Sequence, residues 1–235
     1  MDNNKNDLIK SFCLSSDLTT YDPYDIWKTK FGFFVKNGYN KSKYLFLFPA
    51  AALSIFDLFF NNKFRFFYSK QDYPIVQALS VLTLLNLNDH ITLGVDNLSI
   101  KNKILWLIKN NCPGYNGFGW GINFKLPIDR EIVYKKNTPY STITPYVLEA
   151  LIKYKEKTQN KEIDKYILDV YQFLEKDIQI IIENDDYIAT SYGPLKDRIV
   201  TNSVSYTMYS YALLLDFMPK KKKYIKNKII KLYNF

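Results

Sequence analysis

The chain has 235 residues, 47% hydrophobic and 23% charged, which places it among globular proteins of one large or two small domains and outside the disordered class. Its net charge of +9 belongs to the end of the sequence: residues 219–235 hold seven lysines and no acid, and without them the balance is +2. Only three arginines are present (Arg65, Arg130, Arg198), and since bidentate phosphate and base contacts favour Arg, no nucleic-acid partner is expected.

Cys13 and Cys112 are the only cysteines and His90 the only histidine, so a CxxC zinc site and a His-based metal cluster are ruled out and no cofactor is expected. The two thiols stand far apart in a chain that opens on the polar MDNNKNDLIKSF rather than a signal peptide, and they are expected free in the cytoplasm. Aromatic residues make up 17% of the chain. Tyr and Trp combine flat faces with a polar handle, which suits carbohydrate-stacking surfaces, although a Phe- and Tyr-rich core uses them equally well.

Residues 1–21 read as an N-terminal extension and 22–235 as one domain. A first helix is predicted after Asp22-Pro23, with Ile26, Trp27, Phe31, Phe34 and Val35 on one face and a stop at Asn37-Gly38. The block 41–60 is apolar nearly all round. Its run from Tyr44 to Phe60, broken by Pro49 and Asp57, is at the short limit for a membrane span, and an enclosed core helix is expected instead. Pro74 opens the next helix, carrying Val76, Leu79, Leu82 and Leu85, and Asn88-Asp89-His90 reads as a turn. From Asp96 to Asn110, Leu98, Ile104, Leu105, Leu107 and Ile108 are the expected buried positions.

Residues 111–141 break this rhythm with Gly114, Gly117, Gly119 and Gly121 among aromatics, a loop long enough to imply a function. Thr144 as N-cap and Pro145 then open a helix with Val147, Leu148, Leu151 and Ile152 on its face. Another is predicted from about 161 to 184, with Ile167, Leu168, Tyr171 and Leu174. A second loop spans 185–201, and helices at about 202–217 and from 221 to the end close the chain. Nothing alternates with a strand's period of two, and no fixed repeat is visible. The fold class expected is all-α, about eight helices in antiparallel pairs, as in a bundle, solenoid or toroid.

Three stretches carry a family likeness: Cys112-Pro-Gly-Tyr-Asn-Gly-Phe-Gly-Trp-Gly121, Asn137-Thr-Pro-Tyr-Ser-Thr-Ile-Thr-Pro-Tyr-Val-Leu-Glu-Ala-Leu151, and Ser191-Tyr-Gly-Pro-Leu-Lys-Asp-Arg-Ile-Val-Thr-Asn202 running into SYTMYSYALLL. They resemble bacterial proteins of capsule and lipopolysaccharide biosynthesis with a terpenoid-cyclase-like α/α-toroid fold. Some of those proteins bear an aminolevulinate dehydratase label, a chemistry requiring a Schiff-base lysine in a barrel of strands and helices, for which this sequence offers no sign. Members of the family continue beyond the basic helix into an Asp-Gly-Ser-Trp-type turn and a last helical pair. The resemblance therefore implies an incomplete ring whose open side, near Tyr224, Ile225, Ile229, Leu232 and Tyr233, is covered by a second polypeptide or by self-association.

The resemblance also implies a function: binding or modifying a sugar polymer or glycan precursor at the loop-bearing end of the ring. Tyr115, Phe118, Trp120 and Tyr140 would stack on sugar, while Glu149, Asp197 and Asn202 would hydrogen-bond it. Tyr192 or Tyr206, with Lys196 and Arg198, would serve an epimerase, lyase or hydrolase, Arg198 orienting a carboxylate or phosphate. Each has a plainer use: Trp120 and its neighbours can plug the ring, Asp197 and Arg198 can order a loop, and Glu149 can face water. The alternative is a non-catalytic scaffold of the capsule machinery, or a degenerate fragment completed by another chain. Some relatives carry His-Asn where Thr201-Asn202 stands here, so an imidazole mechanism is excluded at that point. Neither a paired-carboxylate glycosidase pattern nor GxxxxGK[ST] occurs. Lys220–Lys223 reads as a solvated helix start, or alternatively as a weak contact for anionic membrane lipid.

Overall fold

The computed structural model describes residues 3–22, 24–90 and 97–235. Pro23 and Asp96, where two helix starts are expected, lie outside the described residues. In chain order the elements are α1 (Asn3–Leu14), α2 (Asp25–Lys28), α3 (Lys30–Lys41), α4 (Lys43–Phe64), α5 (Pro74–His90), α6 (Asn97–Lys109), β1 (Leu126–Pro127), β2 (Val133–Tyr134), α7 (Thr144–Thr158), α8 (Asp164–Lys176), β3 (Ile180–Glu183), β4 (Ile188–Thr190), α9 (Thr201–Phe217) and α10 (Lys222–Tyr233). The protein is mainly helical, with two small antiparallel hairpins, β1–β2 and β3–β4. The helix expected over 161–184 stops at Lys176: four isoleucines between 178 and 182 and the turn Asn184-Asp185-Asp186 form β3–β4 instead, because β-branched residues lose less by lying extended.

The chain divides into two units. The larger comprises residues up to Leu18, 74–121 and 138–235. The stretch expected as an N-terminal extension is part of it as far as Leu18: α1 lies on α5, Cys13 and Leu18 are buried, and the buried Lys103 ammonium donates to the Ser15 carbonyl at 2.7 Å. Successive hairpins α5–α6, α7–α8 and α9–α10 pack side by side, α5 on α7 and α7 on α9. Ser141, Tyr146 and Glu149 meet Ser203, Tyr206 and Tyr209 in the same order, which is possible only if α7 and α9 run parallel. Lys153 near the end of α7 likewise reaches Asn86 near the end of α5 at 3.4 Å. So α5, α7 and α9 point one way, and the two long loops preceding α7 and α9 gather at one end.

The core between them is Leu84, Leu107, Trp120, Leu148, Leu151, Phe173 and Leu214, all wholly buried. The predicted stripes are largely confirmed: Leu82, Leu85, Ile104, Val147, Ile167, Tyr171 and Leu174 are inside. Leu79, Leu98, Leu105 and Leu168, expected inside, are 44%, 61%, 52% and 43% exposed because they lie off the faces their helices turn to the core, and Phe31 and Phe34 of the first predicted stripe are 62% and 60% exposed. Both thiols are buried and free, and burial pushes Cys112 up to about 12, so it is inert.

The smaller unit is residues 19–73 and 122–137. Its first helix is broken at Thr29, whose hydroxyl accepts from the Gly32 amide and restarts the chain as α3. Gly38 is no stop: it lies inside α3, where a Cβ would fall 2.4 Å from the Phe46 ring of α4. The block 41–60, expected inside a core, is not enclosed. Within this unit α4 touches α3 along one stripe (Phe46, Ala50, Leu53), and no residue of its first fourteen is buried. Hydropathy registers only that a segment avoids water, and it cannot say what replaces the water.

Candidate functional site

The site is built where the loops before α7 and α9 lock together. In the first loop, Gly117 allows the backbone to lie directly on α8: a Cβ there would be 2.1 Å from the Asp169 carbonyl oxygen, and the neighbouring Phe118 amide donates to that oxygen at 3.0 Å. The buried Asp177 carboxylate accepts from the Asn116 and Gly117 amides and from the Asn116 side chain at 2.8–3.2 Å. Trp120 is fully buried, its indole donating to the Leu107 carbonyl at 2.8 Å and so capping the end of α6.

Three small hydroxyls fasten the second loop to the first. Ser141 donates to the Tyr192 carbonyl at 3.1 Å and lies 2.5 Å from Ser203, Ser203 reaches the Ser191 carbonyl, and Ser191 donates to the Gly193 carbonyl. All three serines are buried. Thr144, read as an N-cap, is instead the first residue of α7. Its hydroxyl donates to the Tyr140 carbonyl at 2.9 Å and accepts from the Trp120 amide, joining loop to helix rather than capping.

This lock holds Tyr192 half-exposed, its ring 5.0 Å from that of Tyr140, its hydroxyl accepting from Thr142 and the Arg198 guanidinium 5.2 Å from its centre. From there a polar strip follows the seam of α7 and α9. Tyr146 and Tyr206 share a 2.8 Å hydroxyl–hydroxyl bond, and Tyr209 donates to Glu149 at 2.7 Å, with Lys153 3.5 Å from the same carboxylate. The Tyr206 hydrogen bond, with burial, raises the Tyr146 phenol; burial and then the Glu149 carboxylate raise Tyr209 well above its ordinary value. Both phenols are therefore neutral at physiological pH; Tyr209 donates to Glu149, and Tyr146 shares its hydrogen bond with Tyr206. Such a strip offers hydrogen bonds.

Of the expected residues, the structure brings Tyr192, Arg198, Tyr206 and Glu149 onto this seam. Trp120 and Tyr140 are buried, and the plugging use applies to them: their faces pack on protein and leave no room for a sugar ring. Phe118 stands edge-on to Trp120 and tilts over Tyr166, and Tyr115 is half-buried. Asp197 accepts from the Arg198 amide, ordering the loop. Lys196 and Asn202 are exposed, the latter in the first turn of α9. Residues not foreseen are Tyr146, Tyr209, Thr142 and Lys153. The spacing Tyr146-x-x-Glu149 and Tyr206-x-x-Tyr209 is the signal that could have found them.

A second groove of about 930 Å³ runs between α8 and α10, lined by Tyr171, Glu175, Lys221 and Tyr224. Lys221 donates to Tyr171, Lys222 to Asp216, Lys228 to Glu175 and Lys231 to the Asn184 carbonyl, so much of the basic run serves to dock α10. Burial by itself would raise the Glu175 carboxyl, but hydrogen bonds from Tyr224, Lys228 and Tyr211 outweigh it and the net shift is downward from 4.5. A lowered folded value means stabilisation that is complete above 4.5 and lost as pH falls through the folded value. Melting temperatures recorded against pH should therefore fall more gently below about pH 4.5 in Glu175→Gln than in the parent chain. Parallel curves would show that the carboxylate carries no such linkage.

Among the described residues no group of His, Cys, Asp and Glu is arranged to hold a metal ion. Comparison with protein-family models, with curated proteins and with solved structures finds no match to this chain.

Proposed function

We propose that this chain is a cytoplasmic carbohydrate-binding protein of bacterial envelope-polysaccharide synthesis, its helices arranged as in an α/α-toroid whose loop-bearing end holds a sugar polymer or its precursor. The observation carrying this reading is the seam of α7 and α9, where Tyr192 and Arg198, then Tyr146 and Tyr206, then Glu149 and Tyr209 follow one another. Tyrosine hydroxyls can both give and take hydrogen bonds, as sugar hydroxyls do, and an Arg beside an aromatic face suits a uronate or sugar phosphate. Parallel α5, α7 and α9 with return helices between them favour the toroid, since such rings are assembled from repeated pairs of this kind. Binding is favoured over bond cleavage because Tyr146 and Tyr209 are held neutral and Glu149 is occupied by Tyr209 and Lys153.

Titration calorimetry of the purified chain with acidic and neutral capsule oligosaccharides tests the reading. Tyr206→Phe removes one hydrogen-bonding hydroxyl, so affinity should drop about 5–10-fold, roughly 1 kcal/mol, with the melting temperature little changed. Arg198→Ala should weaken acidic ligands far more than neutral ones. A chain that binds no oligosaccharide, or whose binding ignores both changes, refutes the proposal; accumulation of a cleaved or epimerised product returns it to the enzymes.

A further inference from the structure

The face that the seam leaves unexplained is α4. We infer that α4 lies in the plane of one leaflet of a lipid bilayer, with α3 packed along one side of it. The 22 residues Lys43–Phe64, whose most apolar stretch has a mean hydropathy of 1.6, form a rod about 33 Å long. Only 6% of their most apolar window is buried, so the segment is not a core helix. Leu45, Leu47 and Phe48 are 72%, 49% and 81% exposed, and at about 100° per residue they fan over roughly 160° of the helix. A protein partner covers a stripe, whereas lipid surrounds a rod, and this apolar surface extends round all of α4 except the stripe taken by α3.

The polar groups of α4 favour the same occupant. Between Leu45 and Asn61 the polar side chains are Ser54, Asp57 and Asn61, and each is bonded within the segment. Ser54 donates to the Ala50 carbonyl at 2.9 Å, the buried Asn61 donates to Asp57 at 2.7 Å, and Asn61 accepts from the Phe67 amide at 2.8 Å. Hydrocarbon demands this internal satisfaction; an aqueous surface does not. Lys41, Lys43 and Tyr44 flank one end of the rod, and Lys63, Arg65 and Tyr68 the other, the cationic and aromatic rim of an interfacial segment. Residues 19–73 carry eight cationic against four acidic side chains, which suits an anionic lipid surface.

The geometry favours lying in one leaflet over crossing. Thr20 and Gln71 exchange two 3.0 Å backbone hydrogen bonds, so the excursion leaves and returns at one point. If α4 crossed, the chain from Thr20 to Ser42 would have to cross beside it, taking Lys28, Lys30 and Lys36 through hydrocarbon. Lying flat, α4 keeps α3 and its lysines in the headgroup layer.

The test is flotation of the full chain with phosphatidylcholine vesicles and with vesicles containing phosphatidylglycerol. The parent chain should float with both, more completely with the anionic ones, and should resist high salt. Phe48→Ser combined with Phe59→Ser should lower partitioning at least tenfold while the far-ultraviolet dichroism is unchanged, since both rings are exposed. A triple variant, Lys220→Gln with Lys223→Gln and Lys226→Gln, should float like the parent. Added trypsin should cut at both Lys43 and Lys63 of the bound chain. A chain that stays in the soluble fraction, or one that forms a lipid-independent oligomer which vesicles do not dissociate, overturns the inference; protection of one flank alone overturns the one-leaflet orientation.

Discussion

Trp120→Ala should lower the unfolding free energy by about 3–5 kcal/mol, the range for removing a large aromatic from a packed core. Three contributions add. The ring is fully buried beside Phe118, its indole nitrogen donates to the Leu107 carbonyl, and that carbonyl lies in the last turn of α6, where no helical amide is available to replace the lost donor. Trp120→Phe separates them: it keeps most of the apolar volume and removes the hydrogen bond, so about 1–2 kcal/mol should be lost. Urea denaturation followed by dichroism reads both. A loss below 1 kcal/mol in Trp120→Ala would mean that the ring is not part of the core and would make it available for stacking on sugar after all.

Asp177→Ala should cost about 3 kcal/mol, because its buried carboxylate satisfies the Asn116 and Gly117 amides and the Asn116 side chain, and bonds to a charged acceptor are worth more than neutral ones. Gly117→Ala attacks the same joint by a different route. The new methyl would lie within 2.2 Å of two backbone atoms of α8, which cannot move aside as a side-chain tip can, so the loop must lift and the 3.0 Å bond from the Phe118 amide to the Asp169 carbonyl must break. Hydrogen exchange at Phe118 should accelerate in both variants, while amides in the middle of α7 remain slow in Gly117→Ala. Because the same loop carries Ser141 towards Tyr192, both changes should also weaken oligosaccharide binding if the α7–α9 seam is the site. Unchanged exchange at Phe118 would show that the loop is not held at this joint.

The two joints explain the glycine-rich segment 111–121 differently from a mobile binding loop. Its glycines bring the backbone against α8 at Gly117 and against the Thr138 carbonyl at Gly121, where a Cβ would approach to 1.8 Å. The loop is rigid packing material whose outer edge positions the seam. The hydrogen-bonding groups of the seam come instead from the next turn and from the helices themselves, and residues 112–121 form a structural joint.

Much of the helical framework can be read from residue order. Val147, Leu148 and Leu151, or Ile167, Tyr171 and Leu174, recur with a period that places them on one side of a helix, and this local geometry is independent of neighbours. Pro145 and the glycines likewise act through their own backbone, so the start of α7 and the position of the first long loop follow from sequence to within a residue or two. Four of the groups on the seam, Tyr192, Arg198, Tyr206 and Glu149, could also be named in advance. Their pairing could not, because Tyr146 and Tyr206 are sixty residues apart and meet only when α7 and α9 lie parallel. Packing likewise determined that Trp120 and Tyr140 face inward, that Leu98 and Leu105 face outward, and that Ile180–Glu183 is a strand. The clearest case is α4: an apolar composition reports only the free energy of leaving water, which is the same for a core as for a bilayer, and the medium that receives the segment depends on which elements the fold places around it.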